Sequence, residues 1–358
     1  MCEKISVEDN VMFDAIVEDI KKKNLSKVNP PKIVVGTGLS ASMGVPGMKA
    51  LAKELDKKFS SHKKKSMSDA WKRVENAVKK DGLENGLSLI SDSDEDFIEE
   101  IKKITACYIL EKERNLQDKI YRNDSGFSSL MKYLKASWSV NNCVLDIMTP
   151  NYDRIIEIIC DRLRIPIVTG FVGEVFQTFD QNVLRLVETK CTHRTGMIVR
   201  LFKPHGSLNW IANGRDILLS NDQSRLKENI ENVEIVTPGN SKYKAGLTVN
   251  IFREMREVFH EVLERQNDYS LLIYGYGFND PQFDMVLKNI MEADNNVNVL
   301  IISMEVKQEI LEIAQRNSKI SVFFQNGVTK MANMIYKGKQ YEIDEELWNL
   351  EKFVSIFC

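Results

Sequence analysis

Apolar residues at Val11, Phe13, Ile16, Val17 and Ile20 recur at the spacing of one helix face and predict a helix over 8–23. Pro30-Pro31 closes the connection, and the β-branched run at 32–36 predicts a buried strand. A glycine turn follows, then Gly44-Val45-Pro46-Gly47. From about 48 to 138 strand-like runs vanish. Lys, Glu and Asp are dense there, and Trp71, Val74 and Val78, then Phe97, Ile98, Ile101, Ile104 and Tyr108, keep helical spacing. This predicts a large helical insertion over 48–138, with 91–96 supplying N-cap candidates and first-turn acids. Strand runs return at 144–148, 165–169, 198–202, 233–236, 271–274, 297–303 and 322–324. Helical patterns at 152–163, 250–266, 281–292 and 305–316 separate several of them. Such alternation predicts an α/β fold built on a mostly parallel sheet. No repeat or low-complexity linker divides the chain. The expectation is one domain over 1–358, with the tail 330–358 packed on its body.

Composition narrows the classes. A chain of 358 residues can bury one large core or two moderate ones, and 43% apolar content is ordinary for a globular protein. The net charge of −2 gives no global attraction to nucleic acid or to an anionic membrane, so no direct nucleic-acid binding is expected. The lysine runs 21–23 and 63–65 read as solvated helix faces. Six cysteines, at 2, 107, 143, 160, 191 and 358, include no Cys-x-x-Cys pair. That argues against a structural zinc site and against a disulfide framework, so no metal is expected. Cys143 and Cys160 read as core residues. Met1-Cys2-Glu3-Lys4 leads into no apolar run, and no stretch reaches the ~18 apolar residues of a membrane span. The cytoplasm is the expected location.

Four segments carry candidate chemistry. Lys203-Pro204-His205-Gly206-Ser207 follows the run 198–202 and reads as a strand delivering an imidazole to a sharp turn. Histidine can take and return a proton near neutrality. The other histidines, His62, His193 and His260, lack that framing and read as surface or packing residues. Gly36-Thr37-Gly38-Leu39-Ser40 lets backbone N–H groups approach a pyrophosphate, with the Ser40 hydroxyl beside them. Its spacing fits a dehydrogenase fingerprint through Ala41. The second strand that fingerprint needs is missing, because 49–65 is polar and helical and Asp56 stands in the wrong context. A plain tight turn is the competing reading. Thr149-Pro150-Asn151-Tyr152-Asp153 places an amide and a carboxylate at a strand end, where open α/β sheets put ligand contacts. Asn151 could instead cap a helix starting near Tyr152. Gly275-Tyr276-Gly277-Phe278-Asn279-Asp280 allows close approach to a ribose or phosphate, or else forms a turn capped by Asn279 or Asp280 onto a helix at Pro281.

Together these segments resemble the sirtuins, and within them the sirtuin-like proteins of prokaryotic anti-phage defence. The resemblance rests on the Gly36–Ser40 turn, Gly44-Val45-Pro46, Thr149-Pro150-Asn151-Tyr152-Asp153, His205-Gly206-Ser207 with Trp210, and Gly275-Tyr276-Gly277-Phe278-Asn279-Asp280. It covers roughly 32–50 and 143–304. It implies a Rossmann-like fold and NAD⁺ as substrate. Asn151 would orient the ribose or the attacking water, His205 would act as general base, and Asp153 would hold the nicotinamide amide or fix Asn151. Gly36, Thr37, Gly38 and Ser40 would cradle the pyrophosphate, with Pro46, Gly275, Gly277 and Asn279 as further dinucleotide contacts. Gly47-Met48-Lys49 departs from the deacylase pattern, and the paired cysteines of the deacylase zinc module are missing. Ser303 is a weak candidate for the adenosine contact. The implied activity is therefore NAD⁺ glycohydrolysis, acting to deplete NAD⁺ in defence. Alternatives are a protein deacylase or ADP-ribosyl transferase, a non-catalytic sensor of NAD⁺ or ADP-ribose, and a structural subunit. A homo-oligomer is expected, plausibly docked on a HerA-type ring ATPase. Trp71, Phe97, Ile101, Tyr108 and Tyr133 of the insertion are its candidate contacts; the competing reading is that most of them pack the insertion onto its own sheet.

Overall fold

The computed structural model describes residues 3–8, 10–26, 28–91, 93–136, 143–190, 196–214, 216–239, 250–293, 295–329 and 331–358. Cys2, Asp92, Cys191, His193 and the last residues of the expected insertion lie outside them. The strands are β1 (Glu3–Ile5), β2 (Lys32–Val35), β3 (Val144–Met148), β4 (Ile167–Val168), β5 (Phe171–Val172), β6 (Gln177–Phe179), β7 (Ile198–Phe202), β8 (Gly206–Asn213), β9 (Asp216–Leu219), β10 (Val233–Ile235), β11 (Ser270–Tyr274), β12 (Asn298–Ser303), β13 (Ile320–Gln325), β14 (Ala332–Tyr336) and β15 (Lys339–Ile343). One sheet runs β1-β15-β14-β13-β12-β11-β2-β3-β7-β4, and a smaller one runs β10-β8-β9-β6-β5. From β13 to β4 every pairing in the large sheet is parallel. The fold is α/β and Rossmann-like.

Both faces of this sheet are covered, which is why its strands read as unbroken apolar runs. Ile33, Val35, Leu145, Ile147 and Leu201 face one core with the helices Val11–Asn24, Ile155–Leu163 and Leu350–Phe357. Val34, Met148, Phe202 and Ile273 face a second core with the helices Asn250–Glu264, Pro281–Glu292 and Gln308–Arg316. The segment 331–358 adds the hairpin β14–β15 to the sheet and lays its last helix on the first core.

Between β2 and β3 lie the helices Met48–Ser60, Lys65–Asp81, Leu83–Leu87, Glu95–Arg122 and Gly126–Lys135. The first three and the start of the fourth share a separate core, where Phe59 stacks on Trp71 at 5.4 Å and meets Phe97 edge-on at 4.8 Å. From Ala106 onward the long helix packs on the first core of the sheet instead. Trp71, Phe97 and Ile101 are buried in this packing, so they take the packing role and are not available to a partner. Tyr133 is half-buried and donates to the Leu25 carbonyl.

Other departures are local. The strand expected at 233–236 joins the small antiparallel sheet rather than the large one, and the strand expected at 165–169 shrinks to the edge pair β4. Cys160 is a buried thiol, whereas Cys143 is buried and disulfide-bonded. Among the described residues, no helix is long and apolar enough to cross a membrane.

Candidate active site

The segments that follow β2, β3, β7 and β11 converge at the carboxyl ends of those strands. They line a cleft of about 810 Å³, measured with its open mouth. Thr37, Ser40 and Pro46 come from the β2 side, and Asn151, Tyr152 and Asp153 from the end of β3. His205 follows β7, while Tyr276, Gly277, Asn279 and Asp280 follow β11. Leu51, Glu84 and Ile109 reach in from the helices between β2 and β3. In strand order β2 sits between β11 and β3, so the order in which the parallel strands are laid down reverses across it. Open α/β sheets bind ligands at such a reversal.

Three of the expected glycines do not line this cleft. Gly36 donates its N–H to the Tyr274 carbonyl at 2.8 Å, and Gly38 donates to Gly275 at 2.9 Å. A Cβ on Gly36 would stand 2.3 Å from the Gly275 oxygen, and one on Gly38 would stand 2.5 Å from the Gly275 Cα. Gly275 itself has φ +58°. These glycines let the turns after β2 and β11 touch through backbone alone. Their amides are used on the backbone carbonyls of Tyr274, Gly275 and Ile302, and the ligand-facing groups of the turn are the side chains of Thr37 and Ser40.

Asn151 is 5% exposed. Its Nδ2 donates to the Gly36 carbonyl at 2.9 Å and to Ser40 Oγ at 3.0 Å. Ser40 in turn donates to Asp153 Oδ2 at 2.5 Å. The single Ser40 proton is used on Asp153, so the Asn151 group facing Ser40 must be the NH₂. That leaves Oδ1 buried in the cleft with no donor from the protein. The adjoining helix starts at Ile155, so Asn151 is not its cap; Asp153 accepts from the Ile155 N–H at 3.3 Å.

His205 Nε2 lies 2.7 Å from Asp280 Oδ2, and both groups are largely buried. With Asp280 ionised, the neutral ring donates from Nε2 and carries its lone pair on Nδ1. Asp280 also caps the helix Pro281–Glu292 through Oδ1, which accepts from Gln282 and Phe283. One carboxylate thus anchors both a helix and the imidazole. The turn after β7 is tight because Gly206 takes φ +82° and donates to the Lys203 carbonyl at 3.0 Å. A Cβ there would meet the Glu234 oxygen at 2.2 Å, on the passing backbone of β10.

Two buried ions hold the Asn-Tyr-Asp segment from behind. Lys203 Nζ donates to the Asp153 carbonyl at 2.5 Å, to Ser207 Oγ at 2.8 Å and to Glu157 at 3.0 Å. Arg154 Nε and Nη2 both donate to Glu113 Oε1, and the Arg154 N–H donates to Glu113 Oε2 at 2.5 Å. Glu113 belongs to the long helix Glu95–Arg122. Sequence reasoning missed Glu113, Glu84, Lys203 and the pairing of Asp280 with His205. The Asn279-Asp280-Pro281 string signalled a cap, but its second contact is tertiary. Ser303 does not line the cleft; its hydroxyl donates to the Glu305 carbonyl at 2.9 Å. His260 stands apart on another helix, and burial lowers its pKa. Among the described residues, no group of three metal-ligating side chains is found.

Burial pushes Asp153 up to about 6, while Lys203 and the Ser40 hydrogen bond pull it down. The folded value lies above the ordinary carboxylate value of 3.8, so between those two the native state keeps a proton that the unfolded chain releases. The resulting stabilisation is complete below the unfolded value and is lost as pH rises through the folded one. Asn at this position imitates the neutral acid. The unfolding free energy of Asp153→Asn minus that of the wild type should therefore be larger at pH 7.5 than at pH 4.5, by roughly 2 kcal/mol. A difference that stays flat with pH in denaturant titrations contradicts the assignment. Glu113→Ala leaves Arg154 charged and buried, and should cost about 3–5 kcal/mol. A loss under 1 kcal/mol would show that the pair does not hold this segment.

Residues 146–323, from β3 to β13, match the family model of the SIR2-like domain. No curated protein matches the chain. The matched span contains Asn151, Asp153, His205 and Asp280 together with the strands that place them. The chain is a sirtuin-like protein, and the chemistry its SIR2-like domain implies is NAD-dependent.

Proposed function

We propose that this cleft hydrolyses NAD⁺ at the bond between nicotinamide and ribose. The observation that carries this reading is the buried, unpaired Asn151 Oδ1 in the same cleft as the His205–Asp280 pair. An acceptor there suits a ribose hydroxyl or the attacking water. NAD⁺ and water give nicotinamide, ADP-ribose and a proton. The electron pair of the breaking C–N bond leaves with the pyridinium nitrogen, which becomes neutral. The leaving group needs little acid help, so the protein must position water and exclude bulk solvent. His205 takes the proton from the attacking water, and Asp280 orients the ring and stabilises the imidazolium. Ser40 and Asp153 fix Asn151. Thr37, Pro46, Gly277 and Asn279 contact the rest of the dinucleotide, and Gly36, Gly38 and Gly275 contribute shape rather than amides.

His205→Ala and Asn151→Ala should each lower nicotinamide release by ~10²–10⁴-fold while leaving the fold intact. Chromatography of NAD⁺ incubations reads this directly. Release at the wild-type rate from His205→Ala would exclude the base. Binding without any release by the wild type would favour a sensor.

We further infer the setting from the resemblance: an NAD⁺-depleting effector of anti-phage defence, cytoplasmic and homo-oligomeric, docked on a HerA-type ring ATPase. An unrestrained NAD⁺ hydrolase starves its own cell, so the activity needs a gate. We read 1–358 as one domain and the insertion 48–138 as the cover of its cleft. Because Trp71, Phe97 and Ile101 are internal, assembly uses other surfaces. Light scattering should give a mass of several chains. A strictly monomeric, fully active protein removes the support for an assembly gate.

A further inference from the structure

The helices Met48–Ser60 and Lys65–Asp81 form a hairpin whose charge is one-sided. Residues 48–81 hold eleven lysines and arginines against five acids, while the rest of the chain is net acidic. The overall charge of −2 conceals this. One side of each helix is spent on packing, with Leu55 and Phe59 of the first and Trp71, Val74 and Val78 of the second in the insertion's own core. Trp71 Nε1 donates to Asp56 at 2.8 Å and ties the two helices together. At about 3.6 residues per turn, Lys53 and Lys57 fall opposite Leu55, and Lys65 and Lys72 fall opposite Val74. Lys63 and Lys64 occupy the link between the helices.

A solvated helix face ordinarily interleaves the two signs. Here the acids are taken up locally: Glu54 pairs with Lys58, Asp69 with Lys72, and Asp56 and Glu75 with Lys79, which leaves Asp81 over. Lys53, Lys57, Lys63, Lys64, Lys65 and Lys80 are all exposed, and none has a carboxylate partner among the described residues. Helix stability does not account for them. Lys64 and Lys65 stand where the helix dipole favours acids, yet the first turn of Lys65–Asp81 holds none. Clustered like charges also repel one another in the folded state. A bound polyanion offsets both costs. The surface has charge but no anchors: of residues 48–81, none is an exposed large apolar side chain. Protein interfaces centre on apolar or aromatic anchors, membrane-surface helices bury an apolar face, and single-strand sites stack bases on aromatic rings. Ammonium groups on a rigid surface are instead the chemistry of contact with duplex phosphates. From Lys65 to Lys79 the helix runs roughly 20 Å, the rise of about six base pairs.

We propose that the outer surface of this hairpin binds the phosphate backbone of duplex nucleic acid without reading its sequence, with Lys63, Lys64 and Lys65 at its centre and Lys53 and Lys57 beside them. Lysine suits the task, because a compact charge on a flexible stem follows a phosphate ribbon without the fixed fork that reads bases. The inference goes beyond the NAD⁺ reading and does not depend on it. The two surfaces share one helix: Met48 and Leu51 line the cleft, while Lys53 and Lys57 point away from it on the other side. A duplex held there lies behind a wall of the cleft.

The test is fluorescence anisotropy of the full chain with labelled random-sequence duplexes of about 20 base pairs, one of DNA and one of RNA, titrated between roughly 50 and 200 mM salt. Wild type is compared with a triple variant, Lys63→Gln, Lys64→Gln and Lys65→Gln, and with a control that removes the same charge from another helix, Lys21→Gln, Lys22→Gln and Lys23→Gln. Thermal melting confirms that each variant folds. The wild type should bind with an affinity that falls steeply with salt and is the same for unrelated sequences. The hairpin variant should lose roughly tenfold or more at the lower salt, and its slope of log affinity against log salt should drop by about two to three. The control should stay within about twofold of wild type. Binding of either duplex on these terms supports the proposal and identifies the sugar. No binding of either duplex at the lower salt, or equal loss in the hairpin variant and the control, overturns it. Tighter binding to polyglutamate or to phosphatidylserine vesicles than to duplex overturns it in favour of an acidic protein or a membrane, and a preference for a single strand overturns the duplex assignment. Nicotinamide release is measured on the same samples. The hairpin variant should keep it, so failure of the hydrolase reading and failure of this one are told apart.

Discussion

The cleft depends on one contact between bare backbones. The turns leaving β2 and β11 touch at Gly36, Gly38 and Gly275, where no side chain could be inserted. Adjacent parallel strands ordinarily splay their connections apart at a reversal of strand order. Here the connections cross-bond instead, through Gly36 to Tyr274 and Gly38 to Gly275. This closes the floor of the site and brings the Gly36 carbonyl within reach of Asn151. Asn151 then sets Ser40, and Ser40 sets Asp153. A dinucleotide fingerprint and a packing contact use the same residue type for different reasons, and in this protein the packing contact accounts for all three glycines.

Around that floor the site is a balance of buried charge. Lys203 and the Glu113–Arg154 pair sit behind the Asn-Tyr-Asp segment, while Asp153, Asp280 and Glu84 face the cleft. The cations are each fixed by backbone carbonyls or carboxylates, so they stiffen the segment more than they neutralise its front. Desolvation outweighs them at Asp153, which is why its carboxyl titrates nearer neutrality than an exposed one. Asp284, behind Tyr276, is pushed to about 6 chiefly by its own burial. Both acids belong to the rear and walls of one site, and its electrostatics are set by what burial costs a carboxylate.

The helices between β2 and β3 have a divided allegiance. Up to Ile104 they build a core of their own around Phe59, Trp71 and Phe97. From Ala106 onward the same long helix shares the core of the sheet. That division gives the chain a lever: Glu113 on the sheet side clamps Arg154, and Glu84 on the far side reaches the cleft mouth.

The sequence alone determined the strands of the parallel sheet, the helical character of 48–138 and the four segments at the strand ends. Each is a local signal. Doubly covered strands must be apolar throughout, helices repeat near every third or fourth residue, and turns demand glycine or proline. Short strands such as β1, β5, β6 and the hairpin β14–β15 escaped, because two to five residues carry too little pattern. Within the site, Asn151, Asp153, His205, Thr37, Ser40, Pro46, Gly277 and Asn279 were legible from their place after strands, and all of them line the cleft. What only the tertiary structure decided is which partner each one has. Asp280 reads as a helix cap until the chain brings His205 to its other oxygen, 75 positions away. Glu84 and Glu113 are ordinary helix-surface acids in the sequence, because a charge acquires its role from what lies opposite it, and that is fixed by packing between elements rather than within them.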